Sequence, residues 1–180
     1  MNNNKKINAA IIYARTDSSR LPQKIFSDIA GYSILECLLR RSSLLAVDKV
    51  ILATTSRKID DDLEKSLYKY SNLHKKKYEC LRGDPFDLIK RTIEAIDHYK
   101  IQNFCRINGD SPFYPFTEIN KGFKLLSSEI KFINNIRYRT FPYGIAVEVI
   151  NSDYYKKSLL SSPNIQKEHM TSHIYSNNLN

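Results

Sequence analysis

Apolar and polar positions recur along this chain with two different periods, and the change of period marks the elements. Residues 7–14, Ile-Asn-Ala-Ala-Ile-Ile-Tyr-Ala, are apolar on both parities, as a strand covered on both faces must be. Residues 33–45 read as an amphipathic helix, with Ser33 and Glu36 forming a capping-box signature at its start. Residues 49–54 predict a second apolar strand. Residues 60–70 predict a second helix, opened by Asp60, Asp61 and Asp62, whose charges suit a helix N-terminus. A short strand follows at 78–81, and Asp84 and Pro85 read as the N-cap and first turn of a helix running to about Tyr99. A strand at 103–107, a helix at 116–127 and a strand at 130–134 come next. Residues 137–144 are irregular, with Pro142 and Gly144 as breakers, before a strand at 145–150. The remainder predicts two helices, with Ser152 and Pro163 near their starts.

Strands alternating with helices of this length predict an α/β fold, a mostly parallel sheet with helices on both faces. The 180 residues show no internal repeat and fit one domain with a sizeable core. In such sheets ligands sit beyond the carboxyl ends of the strands. The segments to inspect are therefore 15–24, 54–57, 82–84 and 108–112.

The first of these is the richest. Arg15, Arg20 and Lys24, with Thr16, Ser18 and Ser19, follow directly on the first strand. A triphosphate needs dense positive charge and many donors, and arginine offers a planar fork matched to phosphate oxygens. The loop lacks glycine, so it is neither a P-loop nor a GxGxxG turn, and side chains must do what backbone amides do there. From the residues alone it is equally a basic surface loop. Asp110, just past the fourth long strand in Asn108-Gly109-Asp110-Ser111-Pro112, either holds Mg²⁺ on a phosphate or caps a turn. Arg82-Gly83-Asp84 sets an arginine beside a helix start, and Thr54 and Ser56 either touch a base or ribose or form a polar turn. Glu148 alternates with apolar neighbours, which predicts a solvent-facing strand position.

Composition narrows the partners. The net charge of +9 favours anions, although runs such as Lys75-Lys76-Lys77 are ordinary solvated surface. The twelve tyrosines are not interleaved with basic residues as in single-strand binders, and no nucleic-acid motif is present, so no nucleic-acid partner is expected. No apolar run reaches membrane-spanning length, and Met1 to Lys6 lacks the apolar stretch of a secretory signal. A cytoplasmic protein with a disordered tip at 1–6 is the expectation. Cys37, Cys80 and Cys105 have no metal spacing and read as buried thiols.

Taken in order, Ala-Arg-x-x-Ser-Ser-Arg-Leu-Pro-x-Lys from Ala14, Ala-Thr-Thr-Ser from Ala53, Arg-Gly-Asp from Arg82 and Arg-Ile-Asn-Gly-Asp-Ser-Pro from Arg106 resemble one family. It is the spore-coat polysaccharide type of cytidylyltransferase, related to the acylneuraminate and 3-deoxy-manno-octulosonate cytidylyltransferases. The Pro-x-Gly-x-x-x-Glu-Val segment ending at Val149 and Glu168-His169-Met170-Thr171 are also similar. The resemblance implies a nucleotide-diphospho-sugar transferase (Rossmann-like) fold, CTP and a sugar or sugar acid as substrates, Mg²⁺ as cofactor, and release of pyrophosphate. It implies nucleotide binding by Ala14, Arg15, Ser18, Ser19, Arg20 and Lys24, supported by Thr54, Ser56, Arg82 and Asn108. It further implies catalysis by Arg15, Lys24 and Asp110, with the metal on Asp110, and a sugar side formed by Arg139, Glu148, Glu168 and His169.

Two departures from the family pattern bear on activity. Thr16-Asp17 stand where Met-Gly is usual and Gln23 where Gly is usual, so a negative charge enters the phosphate loop and backbone freedom leaves it. Members also usually continue to a further strand and an acidic motif that helps bind metal, whereas this chain ends at Asn180, a C-terminally short form. The second metal carboxylate then comes from elsewhere, or the protein is a non-catalytic nucleotide binder. A glycosyltransferase using a nucleotide-sugar donor is the other enzymatic alternative. Residues 137–180 form the sugar-side or dimerisation segment, and Ile145, Val147 and Val149 serve either a homodimer interface or the core.

Overall fold

A computed structural model describes residues 6–18, 21–75, 77–139, 141–160 and 169–177. The chain runs through β1 (Ile7–Tyr13), a two-stranded ribbon of β2 (Asp28–Ile29) and β3 (Tyr32–Ser33), α1 (Ile34–Ser42), β4 (Lys49–Thr55), α2 (Asp61–His74) and β5 (Glu79–Gly83). It continues through α3 (Leu88–Tyr99), β6 (Ile101–Asn108), α4 (Phe116–Leu125), β7 (Phe132–Asn134), β8 (Glu148–Asn151), α5 (Ser152–Leu160) and α6 (Ser172–Asn177). Six strands form one sheet in the order β5-β4-β1-β6-β8-β7. The pairs β5/β4, β4/β1 and β1/β6 are parallel, and β8 runs antiparallel to both its neighbours. The mostly parallel sheet expected from the sequence is therefore present.

The doubly apolar strand pattern has a direct cause. On β1, Ala10 and Ile12 join one core with Leu52 of β4, Leu38 and Leu39 of α1 and Leu63 and Leu67 of α2. Their neighbours Ala9, Ile11 and Tyr13 join a second core with Ile51, Phe104, Ile96 of α3, Tyr155 of α5 and Ile174 of α6. Because successive strand residues point to opposite faces, two cores sandwich the sheet. Truncating one of these leucines to alanine costs about 2–5 kcal/mol. The buried tyrosines are structural: Tyr114 and Tyr78 donate their hydroxyls to the carbonyls of Leu38 and Leu39, each at 3.0 Å.

Local chemistry explains where the elements begin. Ser33 and Glu36 make the expected capping box, with Glu36 N–H to Ser33 Oγ at 3.2 Å and Ser33 N–H to Glu36 Oε2 at 2.8 Å. The helix expected from Asp84 begins later. Asp84 Oδ1 accepts the amides of Phe86 and Asp87 in a turn, and Asp87 caps α3 through Lys90 N–H at 2.8 Å. An aspartate three residues downstream offers the better-placed acceptor, so Pro85 stays in the loop. Glu148 is not solvent-facing: it is 2% exposed, because β8 lies between β6 and β7 and is covered on both faces. Val147 and Val149 belong to the core and Ile145 is half-buried. Cys105 is buried, but Cys37 and Cys80 are half-buried. Pro163 and the tip residues Met1 to Lys5 lie outside the described residues. No helix among the described residues is long and apolar enough to cross a membrane.

Candidate active site

The loop after β1 is held from beneath by one carboxylate. Asp60, fully buried just ahead of α2, accepts Thr16 N–H at 2.8 Å, Thr16 Oγ1–H at 2.7 Å and the Thr55 hydroxyl, and it pairs with Arg57 at 3.4 Å. Burial pushes its carboxyl upward, but the bonds from Thr55 and Thr16 outweigh this and hold it below the usual carboxylate range. Gln23 N–H to the Thr16 carbonyl, at 2.7 Å, closes the loop. Gln23 does so with φ 56°, the left-handed conformation that glycine adopts without strain.

Asp17 does not leave a bare negative charge in this loop. Arg57 donates to its Oδ2 and Arg15 Nε lies 3.5 Å from its Oδ1, and the Arg57 bond holds the carboxyl below its ordinary range. The negative charge that Asp17 brings to the loop is thus matched by Arg57.

A pocket of about 370 Å³ opens at the carboxyl ends of β1 and β6. Ala14, Arg15, Ser18 and Lys24 line it from the first loop, Asn108 and Asp110 from the end of β6, and His169 from the segment before α6. Seven of the residues expected from the sequence therefore meet in one place. Lys24 Nζ lies 2.9 Å from Asp110 Oδ2 and links the two loops. Gly109 makes that approach possible. Its amide donates to the Tyr13 carbonyl at 2.8 Å, and a Cβ there would sit 2.7 Å from that same oxygen. The glycine serves close packing of strand ends, not flexibility.

Other expected residues stand apart. Thr54 is fully buried within β4, with Oγ1 lacking a hydrogen-bond partner among the described residues, and it does not line the pocket. Arg82 is a structural clamp: it donates to the carbonyls of Thr55 at 3.1 Å and Arg57 at 2.7 Å and pairs with Asp61 and Glu64. Arg82 and Ser56 line a separate shallow groove beside β5. The Arg139 guanidinium stacks over the Tyr143 ring at 3.8 Å, away from the pocket. Glu148 lies behind the pocket, where it accepts Arg106 Nη1–H at 2.6 Å and the Tyr175 hydroxyl at 3.0 Å. Ser19, Arg20 and Glu168 lie outside the described residues.

The buried side of the pocket holds residues not expected from the segments after the strands, above all Arg91 and Arg106. Their signal in the sequence is an arginine among inward-facing positions: Arg91 among Leu88, Thr92 and Ala95 of α3, Arg106 between Cys105 and Ile107 of β6. Burial works against the Arg106 charge, but Glu148 more than compensates and keeps it firmly protonated.

For a metal, Asp110 is the one expected ligand, and no group of three His, Cys, Asp or Glu gathers among the described residues. Magnesium is often held by one or two carboxylates together with substrate phosphates. The half-exposed Asp110 carboxylate at a cation-lined pocket fits that pattern, with phosphate oxygens completing the set.

The sequence profile of the cytidylyltransferase family matches residues 9–180. The chain belongs to the cytidylyltransferase family. The solved structure of a cytidylyltransferase from Leptospira borgpetersenii superposes on this one with a TM-score of 0.85 and 27% identity, over 96% of this chain and 72% of that one. Among curated relatives, spore coat polysaccharide biosynthesis protein SpsF of Bacillus subtilis is 26% identical over 79% of this chain and 58% of its own length. The 3-deoxy-manno-octulosonate cytidylyltransferase of Francisella tularensis subsp. novicida is 29% identical over 64% of this chain and 44% of its own. This cytidylyltransferase chain thus spans about half the length of the two curated relatives.

Proposed function

We propose that this cytidylyltransferase transfers CMP from CTP to an acidic sugar of surface-polysaccharide synthesis and releases pyrophosphate. The observation that supports it is the convergence of Arg15, Ser18, Lys24 and Asp110 on one pocket at the carboxyl ends of two parallel strands. The choice of CTP rests on family membership, and the choice of an acidic sugar on the relative named for 3-deoxy-manno-octulosonate.

In this mechanism Arg15 and Lys24 hold the phosphates by charge-assisted hydrogen bonds and Ser18 adds a donor. A sugar hydroxyl attacks the α-phosphorus, the bond to the bridging oxygen breaks, and pyrophosphate leaves. The same cations offset the negative charge that accumulates on the leaving oxygens. Bound magnesium would be held by Asp110 with the phosphates and would supply further charge neutralisation as a Lewis acid. His169 lines the same pocket and would contact the sugar.

Calorimetric titration with CTP, ATP, GTP and UTP, with and without Mg²⁺, tests the nucleotide site. CTP should bind best, and Arg15→Ala should weaken it at least about tenfold, a loss of roughly 1.4 kcal/mol. Asp110→Asn should abolish the Mg²⁺ enhancement while the protein stays folded. Absence of binding to every triphosphate would sink the proposal.

A further inference from the structure

Two arginines line the buried side of the pocket, and their surroundings differ in one respect. Arg106 is matched by the Glu148 carboxylate at 2.6 Å. Arg91 is only 4% exposed, yet no ion pair among the described residues includes it. Its Nη1 makes one long bond, 3.3 Å to the Ala53 carbonyl, and its Nε is buried with no hydrogen-bond partner among the described residues. A buried guanidinium without a counter-charge is costly, and structures normally pair such a group. Burial lowers its hold on its proton and the Arg15 charge adds to this, while Tyr13, Asp60 and Asp84 oppose it without forming an ion pair with it.

The fold makes room for this arginine. A Cβ at Gly83 would lie 2.6 Å from Arg91 Cγ, so the glycine of Arg82-Gly83-Asp84 clears the path for the Arg91 stem. The segment singled out for Arg82 thus acts through its neighbour.

We propose that Arg91 forms an oxyanion subsite on the buried side of the pocket, distinct from the loop cations Arg15 and Lys24, and takes up phosphate or carboxylate oxygens of a bound ligand. The chemistry required is a planar pair of oxygens that supplies the missing acceptors and negative charge. The nucleotide's phosphates and the acceptor's carboxylate both have it. The subsite deepens the proposed function and rests on it only for which of these two groups arrives.

The test follows the Arg91 Nε–H resonance of ¹⁵N-labelled protein, assigned through the wild-type backbone so that no variant has to fold. Inorganic pyrophosphate, CTP with Mg²⁺, and gluconate are titrated separately. A saturable shift is expected with at least one. Movement with pyrophosphate or CTP assigns the subsite to phosphate, and movement with gluconate alone assigns it to the acceptor carboxylate. Arg91→Lys, confirmed folded by thermal melting, should bind the responsive probe at least tenfold more weakly, since lysine keeps the charge but loses the fork. If CTP binds by calorimetry and Arg91 stays silent to all three probes, the subsite is refuted while the nucleotide site stands. If CTP does not bind but pyrophosphate or gluconate moves Arg91, the subsite stands and the proposed function falls.

Discussion

Replacing Asp60 with alanine tests whether the loop after β1 is positioned by one buried carboxylate. The substitution leaves Thr16 N–H, Thr16 Oγ1–H and the Thr55 hydroxyl without their acceptor. Hydrogen bonds to a charged group contribute about 1.5–3 kcal/mol each. They share one acceptor, so they do not add, and Thr16 Oγ1 retains the Ile59 carbonyl at 3.1 Å. The Thr16 amide and the Thr55 hydroxyl have no such second acceptor among the described residues. A total loss of about 3–5 kcal/mol follows, as for other broken buried charge networks. For a chain of this size that lowers Tm on the order of 10 °C. Asp60→Asn keeps the shape and one acceptor oxygen and should lose about half as much. Urea unfolding followed by circular dichroism measures both. The sign of the pH dependence is fixed, because the folded carboxyl lies below its unfolded value near 3.9. The wild-type advantage over Asp60→Asn is full above about pH 4 and shrinks as pH falls through the folded pKa. In calorimetry both variants should bind CTP more weakly, since the loop carrying Arg15 and Ser18 loses its anchor. An Asp60→Ala protein less than about 1 kcal/mol destabilised would refute the anchoring role.

Two further substitutions probe backbone geometry. Gln23→Gly should stabilise the protein by about 0.5 kcal/mol, because relief of about 1–2 kcal/mol of left-handed strain exceeds the added chain entropy of about 0.5–1 kcal/mol; an unchanged or lower urea midpoint contradicts it. Gly109→Ala should cost about 1–3 kcal/mol and weaken CTP binding together, since its Cβ would press on the Tyr13 carbonyl and push Asp110 away from Lys24. Full CTP affinity in a folded Gly109→Ala protein would show that this close approach does not set the site.

Much of the candidate site could be read along the chain because cationic and hydroxyl side chains are concentrated in a short loop next to a strand. Arg15, Ser18, Lys24, Asn108 and Asp110 were legible in this way, His169 only through the family resemblance, and the structure gathers all six around one pocket. Thr54 and Arg82 were misplaced because position after a strand says nothing about which face a side chain takes or which partners claim it. Thr54 points into the core, and Arg82 is consumed by Asp61, Glu64 and two carbonyls.

The amino-acid sequence by itself determined the alternation of strands and helices, the doubly covered sheet, the α1 capping box and the family, because these depend on periodicity, local hydrogen bonding and motif order. The tertiary structure alone decided which charges meet. Asp60 reaches Thr16 across 44 positions, Arg106 reaches Glu148 across 42, and Arg57 reaches Asp17 across 40. Such pairings arise from strand order and register, not from sequence neighbours. Arg91 emerges in the same way, because burial and the lack of an ion-pair partner among the described residues are properties of three-dimensional surroundings.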